Sequence, residues 1–393
     1  MSDPWLSIIG LGEDGLAGLS DASRAALAQA QIVFGGPRHL ALAKIDQRAQ
    51  PWPIPFSVDP ILAARGQNVV VLASGDPFWH GVGGSLAAYL QLGEWRTFPA
   101  PSTFSIAAAR LGWRIEDITC HGLHAAPFAR LRPVLTSKAR ALCLLRDGNA
   151  PRALAEWLTE LGFGDAQLWV MQALGGADEQ IRQTTAQTFD LADVKAPVAV
   201  AVQIEAGCGL SRANGLEDAL FVHDGQITKR PVRALTLSAL APRVGDRLWD
   251  IGAGSGSISV EWCLAGGHAT AFERRDDRAA NIRINALNFG VDHRLRVVEG
   301  AATLSLDAQP VPNAVFIGGG GTAALYDQLW SVLRPGTRVV ANGVTLETEA
   351  LLAHLHAQLG GTLLRIDLAH AAPLGQMRGW HAARPVVQWS VQR

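Results

Sequence analysis

A turn with three alternating glycines is the feature of the sequence whose residue types most clearly indicate chemistry. It reads Asp250-Ile-Gly252-Ala253-Gly254-Ser255-Gly256 and joins a strand-like run, Arg247–Ile251, to a helical pattern, Ile258–Ala265. Glycines at such a turn let the backbone approach a ligand closely, with the N-terminus of the helix facing it. Glu273 ends the next strand-like run, roughly twenty residues on, where a carboxylate can accept from ribose hydroxyls. The pattern predicts a ribose-containing ligand, and a structural turn is the alternative.

The glycine spacing distinguishes between two kinds of cofactor loop. Dinucleotide-binding loops space their glycines G-x-G-x-x-G, whereas this turn reads D-x-G-x-G-x-G. That spacing resembles the S-adenosylmethionine (SAM) loop of Rossmann-like methyltransferases. An NAD-dependent oxidoreductase is the alternative. Titration with SAM and with NAD, followed by protection from thermal unfolding, distinguishes a methyltransferase from an oxidoreductase.

The second half of the chain alternates strand-like and helical patterns, which predicts a parallel, doubly wound α/β sheet. The strand-like runs are Arg247–Ile251, His268–Phe272, Leu295–Glu299, Ala314–Ile317, Thr337–Ala341, Thr362–Leu368 and Val386–Val391. The clearer helical patterns are Ile258–Ala265, Asp276–Phe289, Thr322–Leu333 and Thr345–Leu359.

 The last run follows an irregular stretch, Ala371 to Pro385, without a clear helix, so the final strand is predicted to pair antiparallel, as in the seven-stranded methyltransferase sheet.

Length and composition limit the class of protein. With 393 residues, two or three domains are expected, and a net charge of −1 gives no overall attraction to nucleic acid or to a membrane surface. The first residues lack a basic region and lead directly into a strand, so no signal peptide is predicted. The cysteines are widely spaced, which favours reduced thiols in the cytoplasm over disulfides or a metal site: Cys120, Cys143, Cys208 and Cys263.

The first half is also α/β, with a different pattern. Leu6–Ile9 and Val69–Leu72 are short apolar strands that lead into glycine-containing loops. A second group of strand-like runs is Ala141–Leu145, Gln167–Met171 and Val198–Ile204. Pro99-Ala-Pro101-Ser102 lies between the groups and could be a hinge. We therefore expect a two-lobed domain at 1–208 (lobes about 1–100 and 101–208), a linker at 209–222 and a second domain at 223–393.

Three ordered motifs in the first half carry a resemblance to a known family. Gly10-Leu-Gly12-Glu-Asp-Gly15 follows a strand, but the next strand-like run ends in Gly35-Gly36 without the acidic residue that a dinucleotide site requires. Ser74-Gly75-Asp76-Pro77 and Pro101-Ser102-Thr103-Phe-Ser105 follow in order. Together the motifs resemble the tetrapyrrole methylases of corrin and sirohaem synthesis, whose two lobes bind SAM in the cleft between them. The resemblance implies SAM contacts at Gly10, Gly12, Gly75, Asp76, Ser102 and Thr103.

Further stretches resemble the branch of this family that acts late on the corrin ring. In the first half they are Gly35-Gly36-Pro37-Arg38-His39 and Met171-Gln-Ala-Leu174-Gly175, and in the second half Ile227-Thr228-Lys229-Arg230, Phe316–Gly321 and Thr345–Thr348. A tetrapyrrole methylase followed by a Rossmann-like methyltransferase is similar to the bifunctional, decarboxylating methyltransferases of cobalamin biosynthesis. The resemblance implies methylation of a reduced precorrin-6 at ring carbons 5 and 15, with loss of carbon dioxide from the carbon-12 acetate, giving precorrin-8X. It assigns carbon 5 to the first half, and carbon 15 with decarboxylation to the second.

The same resemblance implies a second SAM site, so that each half holds one. Its expected contacts are Thr228, Gly252, Ala253, Gly254, Ser255, Gly256, Glu273 and Ala302. The chain departs from the usual pattern after the third strand, where Glu299-Gly-Ala-Ala302 replaces an acid near the adenine amino group. Backbone carbonyls must then accept from adenine at that edge of the pocket.

The substrate carries several carboxylates, so Arg and Lys side chains are expected to bind it. Lys229 and Arg230 are the leading candidates because they adjoin Thr228, and Arg378 is a third. Other candidates are Arg130, Arg132, Lys138, Arg146, Arg233 and Arg384. His381 is a weak candidate for an acid or base near the ring, and no other catalytic residue is assigned. The expected partners are a small-molecule tetrapyrrole and further copies of this chain, with a different corrin acceptor or a SAM-binding regulator as the alternative functions.

Overall fold

The structure is a computed structural model that describes residues 4–207 and 209–393, and it divides into two compact units. The first comprises Met1–Phe128 and Val134–Cys208, and the second comprises Ala129–Pro133 and Gly209–Arg393. Within the described residues, no helix is both long and apolar enough to cross a membrane.

The first sheet of the first unit consists of five parallel strands in the order β3-β2-β4-β1-β5. Apolar residues fill its central strands, as expected for strands that are covered on both faces. The strands are β1 (Leu6–Leu11), β2 (Ile32–Gly35), β3 (Ala49–Pro51), β4 (Val69–Ser74) and β5 (Trp95–Phe98). The helices are α1 (Asp21–Gln29), α2 (Pro37–Leu42), α3 (Asp59–Ala63) and α4 (Val82–Ala87).

The second sheet of this unit is mixed, in the order β6-β7-β10-β8-β9, and only its β6–β7 pair is parallel. Its strands are β6 (Thr119–Gly122), β7 (Arg140–Leu145), β8 (Gln167–Gln172), β9 (Gln180–Thr185) and β10 (Val198–Gln203). The helices are α5 (Thr103–Leu111) and α6 (Ala150–Glu160). The change from the first sheet to the second comes after β5, where the sequence predicts a hinge.

The second unit is built on a seven-stranded sheet in the order β13-β12-β11-β14-β15-β19-β16. The strands of this sheet are β11 (Arg247–Ile251), β12 (His268–Glu273), β13 (Leu295–Glu299), β14 (Ala314–Ile317), β15 (Arg338–Gly343), β16 (Thr362–Ile366) and β19 (Val386–Gln392). The helices are α7 (Arg230–Leu240), α8 (Ser257–Leu264), α9 (Asp276–Asn288), α10 (Ala323–Val332) and α11 (Leu346–Leu359). The first five strands in this order are parallel, and β19 runs antiparallel to both neighbours, as predicted for the last strand.

Successive residues of β11 pack on opposite faces of this sheet. Leu248 belongs to a core cluster with residues of α8 and α9, whereas Trp249 and Ile251 belong to a cluster with residues of α10 and α11. This alternation is the two-residue period of a strand. Both faces are therefore covered, and the carboxyl edge of the parallel strands remains to carry a site.

The stretch predicted to be irregular, Ala371 to Pro385, instead contains most of a hairpin, so that prediction was wrong. Its strands, β17 (Ala369–Leu374) and β18 (Met377–Ala382), pair antiparallel around a turn at Gly375-Gln376. Most of their residues are exposed, so the apolar alternation that usually marks a strand is absent from this hairpin.

The segment expected to be a linker, 209–222, contributes to the core of the second unit. Leu216 and Phe221 are buried in the cluster that also contains Leu237 and Phe289. Burial of a leucine and a phenylalanine contributes about 1.5–3 kcal/mol each. The latter part of this segment is therefore a packed part of the second unit and not a free connection.

The three described cysteines are partly or fully buried, which raises the pKa values of their thiols. Burial raises the pKa of Cys120 to about 11 and that of Cys263 to about 12, and it also raises the pKa of Cys143. These three thiols therefore stay protonated and weakly reactive near neutral pH. Cys208, the fourth cysteine of the prediction, lies outside the described residues.

Candidate functional site

Loops from four parallel strands meet at the carboxyl edge of the seven-stranded sheet. β11 is the central strand here, and the chain proceeds to β12 on one side and returns to β14 on the other. Ligands of open α/β sheets bind where the strand order reverses in this way. The predicted glycine turn follows β11 directly, so the sequence places it at this point.

The glycine turn packs closely against the loop after β14. Gly252, Gly254 and Gly256 all have positive φ angles, of 69°, 60° and 72°, a region that side chains other than glycine rarely adopt. A Cβ atom on Gly252 would lie 2.6 Å from the carbonyl oxygen of Gly319. A Cβ atom on Gly254 would have only the Gln226 carbonyl oxygen nearby, at 3.5 Å. Gly252 therefore joins two loops, and Gly254 leaves backbone accessible to a ligand.

Glu273 connects the end of β12 to the glycine turn. Its carboxylate accepts a hydrogen bond from the Gly254 amide at 2.8 Å and another from the Arg275 amide at 3.0 Å. The side chain is buried, so the carboxylate is held at this edge by backbone donors. Each carboxylate oxygen has a further lone pair with which it can accept from a ligand hydroxyl.

Asp250, the last acidic residue before the turn, is fully buried. Its Oδ2 atom accepts from the Ser259 hydroxyl at 2.6 Å, while Oδ1 has no hydrogen-bond partner in the described structure. Burial, opposed in part by the Ser259 bond and reinforced by the charge of Glu273, raises the pKa of Asp250 to about 7. The sequence indicated the position of Asp250, but its raised pKa depends on burial and could not be predicted from the motif.

The loop after β13 closes the same edge. The Gly300 amide donates to the carbonyl of Glu273 at 3.0 Å, and Ala302 is buried at the start of a short 3-10 turn. Ala302 packs in the core cluster that contains Phe272, the residue before Glu273. The structure thus brings the Glu299–Ala302 loop next to Glu273, as the predicted pocket requires.

Thr228 lies in a segment that passes beside the glycine turn, and the two predicted basic residues follow it. Lys229 and Arg230 are exposed and line a cavity of about 490 Å³ together with Asn214, Asp218, Pro231, Ala234 and His370. The Lys229 ammonium lies 3.9 Å from an Asp218 oxygen, and Arg230 pairs with Glu217. Exposed pairs of this kind are weak, so both cations can exchange their partners for a substrate carboxylate.

The remaining candidates of the second half separate into two groups. Arg378 and His381 lie on β18 with exposed side chains, and His381 stands opposite His370, which lines the cavity beside Lys229. Arg384 is also exposed. Arg233 is different, because it is completely buried and bonded to Glu261 and Asp218. Its prediction as a substrate contact was wrong, since a helical pattern alone does not show which arginine faces inward.

The predicted motifs of the first unit meet at the carboxyl ends of β1 and β4. A Cβ atom on Gly10 would lie 1.8 Å from the Gly75 carbonyl oxygen and 2.7 Å from the Ala100 amide nitrogen. Gly75 has a positive φ of 52°, and its Cβ atom would lie 2.8 Å from the Cα atom of Ser102. These distances require glycine at both positions, because the three backbone segments touch directly.

Local hydrogen bonds set the loops that carry the other predicted residues. The Asp76 carboxylate accepts from the Phe78 amide at 2.9 Å, which closes the turn after Gly75. The Ser102 hydroxyl accepts from the Ser105 amide at 3.0 Å and caps α5, whose first residue is Thr103. Gly12 lies in the loop after β1, where a Cβ atom would come within 2.6 Å of the Asp14 Oδ1 atom.

Two further motifs reach the same region. The His39 Nε2 atom lies 2.9 Å from the Ser74 hydroxyl, and Arg38 pairs with Glu13 of the first glycine loop. A Cβ atom on Gly176 would lie 2.7 Å from the Cβ atom of Glu13, so the loop after β8 also lies here. Burial, followed by the charge of Arg38, lowers the pKa of His39 to about 4. His39 is therefore neutral at physiological pH, a property that the sequence motif did not reveal.

Of the other basic residues named in the first half of the chain, Lys138 and Arg146 are exposed and paired with Glu205 and Asp147. Arg130 and Arg132 fall in the 129–133 segment that belongs to the second unit. Arg132 donates to the Asn288 carbonyl at 2.9 Å and lies over the Phe289 ring. All four side chains therefore have partners within their own unit, and their roles as substrate contacts stay predictions.

Comparison with known proteins agrees with this arrangement. Residues 6–190 match the family described as Tetrapyrrole (Corrin/Porphyrin) Methylases, and residues 219–393 match the Precorrin methyltransferase domain. The Precorrin-6Y C(5,15)-methyltransferase [decarboxylating] of a Sinorhizobium species is 51% identical over 397 residues, covering 98% of this chain and 96% of its own. The Cobalt-precorrin-6B C(15)-methyltransferase (decarboxylating) of Salmonella typhimurium is 31% identical over 188 residues, covering 45% of this chain and 96% of its own.

Among solved structures, the C-terminal domain of precorrin-6Y C5,15-methyltransferase from Rhodobacter capsulatus is 61% identical, with a TM-score of 0.46. The match covers 47% of this chain and all of that domain. By its two matched families, the chain is a methyltransferase that joins a tetrapyrrole methylase to a precorrin methyltransferase domain. It belongs to the precorrin-6Y C(5,15)-methyltransferase (decarboxylating) family.

The residues at both edges are suited to hold SAM. In the second unit, the Ser255 hydroxyl is buried without a hydrogen-bond partner in the described structure, and the open position of Gly254 lies next to it. Glu273 places a buried carboxylate beside this turn, with lone pairs that could accept from ribose hydroxyls. In the first unit, glycines bring three backbone segments together, with the Gly75 amide donating to the Leu11 carbonyl and the Ala100 amide to the Gly75 carbonyl, so backbone and not side chains forms this edge.

Proposed function

We propose that the chain carries two SAM sites, one at the carboxyl edge of the seven-stranded sheet and one at the meeting of β1, β4 and α5. The observation that carries the proposal is that each unit has its own glycine-lined edge, built from separate motifs. Bound SAM supplies an electrophilic methyl group. The protein must then hold an electron-rich ring carbon in line with that methyl group.

In the second unit, the backbone of Gly252, Ala253, Gly254, Ser255 and Gly256 contacts the cofactor. Glu273 accepts from the ribose hydroxyls, and Thr228 covers the pocket from the segment beside Gly254. Ala302 and the backbone around it bind the adenine edge. The buried Ser255 hydroxyl supports these roles, as do the hydrogen bonds that the Gly254 and Arg275 amides donate to Glu273.

In the first unit, the corresponding contacts are Gly10 and Gly12 after β1, Gly75 and Asp76 after β4, and Ser102 and Thr103 at the start of α5. The direct approach of Gly10, Gly75 and Ser102 supports a common site for these residues. The site differs in kind from the second one because it lacks a buried acid at the end of the neighbouring strand, β2, which ends in Gly35.

The reaction is the methylation of a reduced precorrin-6 at ring carbons 5 and 15, with decarboxylation of the carbon-12 acetate to give precorrin-8X. The meso carbons of the reduced ring are already nucleophilic, so orientation supplies most of the acceleration, on the order of 7–11 kcal/mol in well-aligned cases. Lys229 and Arg230 bind substrate carboxylates at the cavity beside Thr228, and Arg378 and His381 contribute from the hairpin. The conjugated ring accepts the electron pair that carbon dioxide leaves behind.

The second unit carries the carbon-15 methylation and the decarboxylation, and the first unit carries the carbon-5 methylation. A relative of half this length, named for C(15) methylation and decarboxylation alone, supports the view that one domain suffices for both steps. We place the first domain at 1–208, with lobes of about 1–100 and 101–208. The second domain extends to 393 and includes the packed end of the expected linker, and we retain a cytoplasmic homo-oligomer as a prediction.

The decisive experiment is anaerobic incubation of the full chain with SAM and reduced precorrin-6, followed by mass measurement of the product. We expect a gain of two methyl groups and the loss of one carbon dioxide. A SAM-binding regulator would bind SAM without turnover, and an oxidoreductase would be protected from thermal unfolding by NAD and not by SAM. The same incubation with the cobalt-containing ring decides which form is the substrate.

Gly254→Asp tests the placement of the second site. A carboxylate at this position would repel the methionine carboxylate of SAM, and a side chain would fill the space that the glycine leaves open. We expect calorimetry to find two SAM molecules per wild-type chain and one per variant chain. Two full-affinity sites in the variant would show that the second pocket lies elsewhere.

A further inference from the structure

The second unit contains a buried ion pair that the proposed chemistry does not use. Arg233 on α7 is completely buried, and its Nε atom donates to the Glu261 carboxylate of α8 at 2.6 Å. The Glu261 side chain is only 3% exposed. A buried pair of this kind is weak evidence for stability, because desolvation of both charges offsets their attraction. The backbone groups that the two side chains hold in place indicate the role of the pair.

The pair fastens both ends of one segment, residues 215–228, which we call the strap. At its start, the Gly215 and Leu216 amides donate to Glu261 at 2.6 and 3.0 Å, and Arg233 donates to the Leu216 carbonyl. At its end, Arg233 donates to the Thr228 carbonyl at 2.5 Å. Asp218, within the strap, accepts from the same guanidinium at 3.0 Å. One arginine therefore closes the strap into a loop.

A second buried group ties the middle of the strap to the glycine turn. Asn285 on α9 accepts from the Val222 amide at 2.8 Å and donates to the Val222 carbonyl at 2.9 Å. The same side-chain amide also donates to the Ser255 carbonyl at 2.9 Å. Between these anchors, Gln226 passes beside Gly254. The strap is thus fixed at both ends and in the middle, next to the turn that carries the cofactor contacts.

We propose that Arg233 and Glu261 are positioning residues that hold Thr228 and Gln226 beside the glycine turn and thereby set the affinity of the second site for SAM. The inference rests on the proposed function of that site. Neither side chain can touch the cofactor, because both are buried within the core. Their effect passes through the strap alone.

The test compares single variants with a double variant in the full chain. Arg233→Met leaves the buried Glu261 carboxylate without its cation, and Glu261→Leu leaves Arg233 with only the partly exposed Asp218 carboxylate, so both variants lower the unfolding temperature. The double variant removes both charges and recovers most of that loss, but it no longer fastens the ends of the strap. We expect its SAM affinity at the second site to stay roughly five- to thirtyfold below wild type, with turnover at saturating SAM changed by less than about twofold.

Two controls give each outcome a separate meaning. Arg365→Met removes an exposed arginine of the same unit that is paired with Glu349 and Asp367, and it should change neither stability nor SAM affinity. Gly254→Asp identifies the second site in the calorimetric titration. A double variant with wild-type affinity would overturn the positioning role, as would lost turnover with unchanged affinity. If Gly254→Asp leaves both binding events intact, the failure lies in the proposed site and not in the strap.

Discussion

The Glu273 carboxylate accepts from the Gly254 amide, and in the proposed site it also accepts from the ribose hydroxyls of SAM. Glu273→Ala should weaken SAM binding by about 1.5–3 kcal/mol, roughly ten- to a hundredfold, through loss of charge-assisted bonds. Turnover at saturating SAM should change little, since the ribose contact is the same in the ground and transition states. Calorimetry and steady-state kinetics on the same preparation provide the measurement.

Glu299 supplies the matched control for this prediction. It ends the neighbouring strand, β13, with a half-exposed side chain that pairs with Arg283 at the surface. Glu299→Ala should leave SAM affinity near that of wild type. A large fall in turnover with unchanged affinity in Glu273→Ala would contradict the ribose role.

The raised pKa of Asp250 makes the stability of the folded protein depend on pH. Burial raises its pKa from 3.8 in the unfolded chain to about 7, so between these values the folded protein holds a proton that the unfolded chain releases. Stability from this residue is therefore complete below about pH 4 and is lost as the pH rises through 7, by on the order of a few kcal/mol. Denaturant unfolding of the full chain at successive pH values measures this slope.

Asp250→Asn isolates the contribution of this residue. Asparagine resembles the protonated acid and can still accept from the Ser259 hydroxyl. The variant should therefore lose the slope that this residue contributes between about pH 4 and pH 7, and it should be more stable than wild type at pH 8. An identical pH dependence in both proteins would rule out a raised pKa at this position.

At the scale of the element, Gly75 tests whether three segments of the first unit must touch. Gly75→Ala adds a Cβ atom 2.8 Å from the Ser102 Cα atom at a position with positive φ, so β4 and the start of α5 must separate. We expect weaker SAM binding at the first site and destabilisation of about 1–3 kcal/mol. Thermal unfolding and calorimetric titration measure the two effects.

Gly84 in α4 is the comparison for this substitution. A Cβ atom there would meet no atom within 4 Å, and the residue lies in a helix. Gly84→Ala should leave SAM binding unchanged and stabilise the protein by roughly 0.5–1 kcal/mol. Equal effects of the two substitutions would refute the close packing at Gly75.

The elements that the sequence predicted well are those with strong periodic patterns. β11 and the strand-to-helix order around it follow from buried apolar runs, and the antiparallel β19 follows from the absence of a preceding helix. The hairpin of β17 and β18 was missed because its strands are exposed on both faces. The Gly375-Gln376 turn was the available signal, since two-residue turns with glycine are typical of hairpins.

The geometry of the candidate site was predictable where it consists of local motifs and unpredictable where it depends on long-range contacts. The glycine turn after β11 and the position of Glu273 at the end of β12 follow from spacing alone, and their roles in binding stay predictions. Arg233 could not be separated from substrate-binding arginines, because its partner Glu261 lies 28 residues away on another helix. The altered pKa of His39 likewise depends on burial, which no short motif records.

At the scale of the whole molecule, the boundary between the units decides which fragments can fold. Residues 209–228 contain the strap and two core residues, Leu216 and Phe221. Their burial contributes roughly 3–6 kcal/mol together, a large part of the 5–15 kcal/mol that stabilises a typical domain. A fragment 223–393 should therefore be poorly folded, whereas 209–393 should unfold cooperatively on heating. Circular dichroism during heating compares the two, and equal stability would mean that the strap is dispensable.

The last prediction is that two fragments, 1–207 and 209–393, act separately, although the second fragment lacks residues 129–133 of its unit. Each contains its own sheets, core clusters and glycine-lined edge, so each should fold and bind one SAM. Because a rigid site can align one ring carbon with one methyl donor, we expect each fragment to transfer a single methyl group. The second should methylate carbon 15 and release carbon dioxide, and the first should methylate carbon 5 without release. Substrate labelled in the carbon-12 acetate measures the gas from each purified fragment. Gas from the first fragment alone, or from neither until they are mixed, would contradict this division, because decarboxylation would then depend on residues outside the second unit.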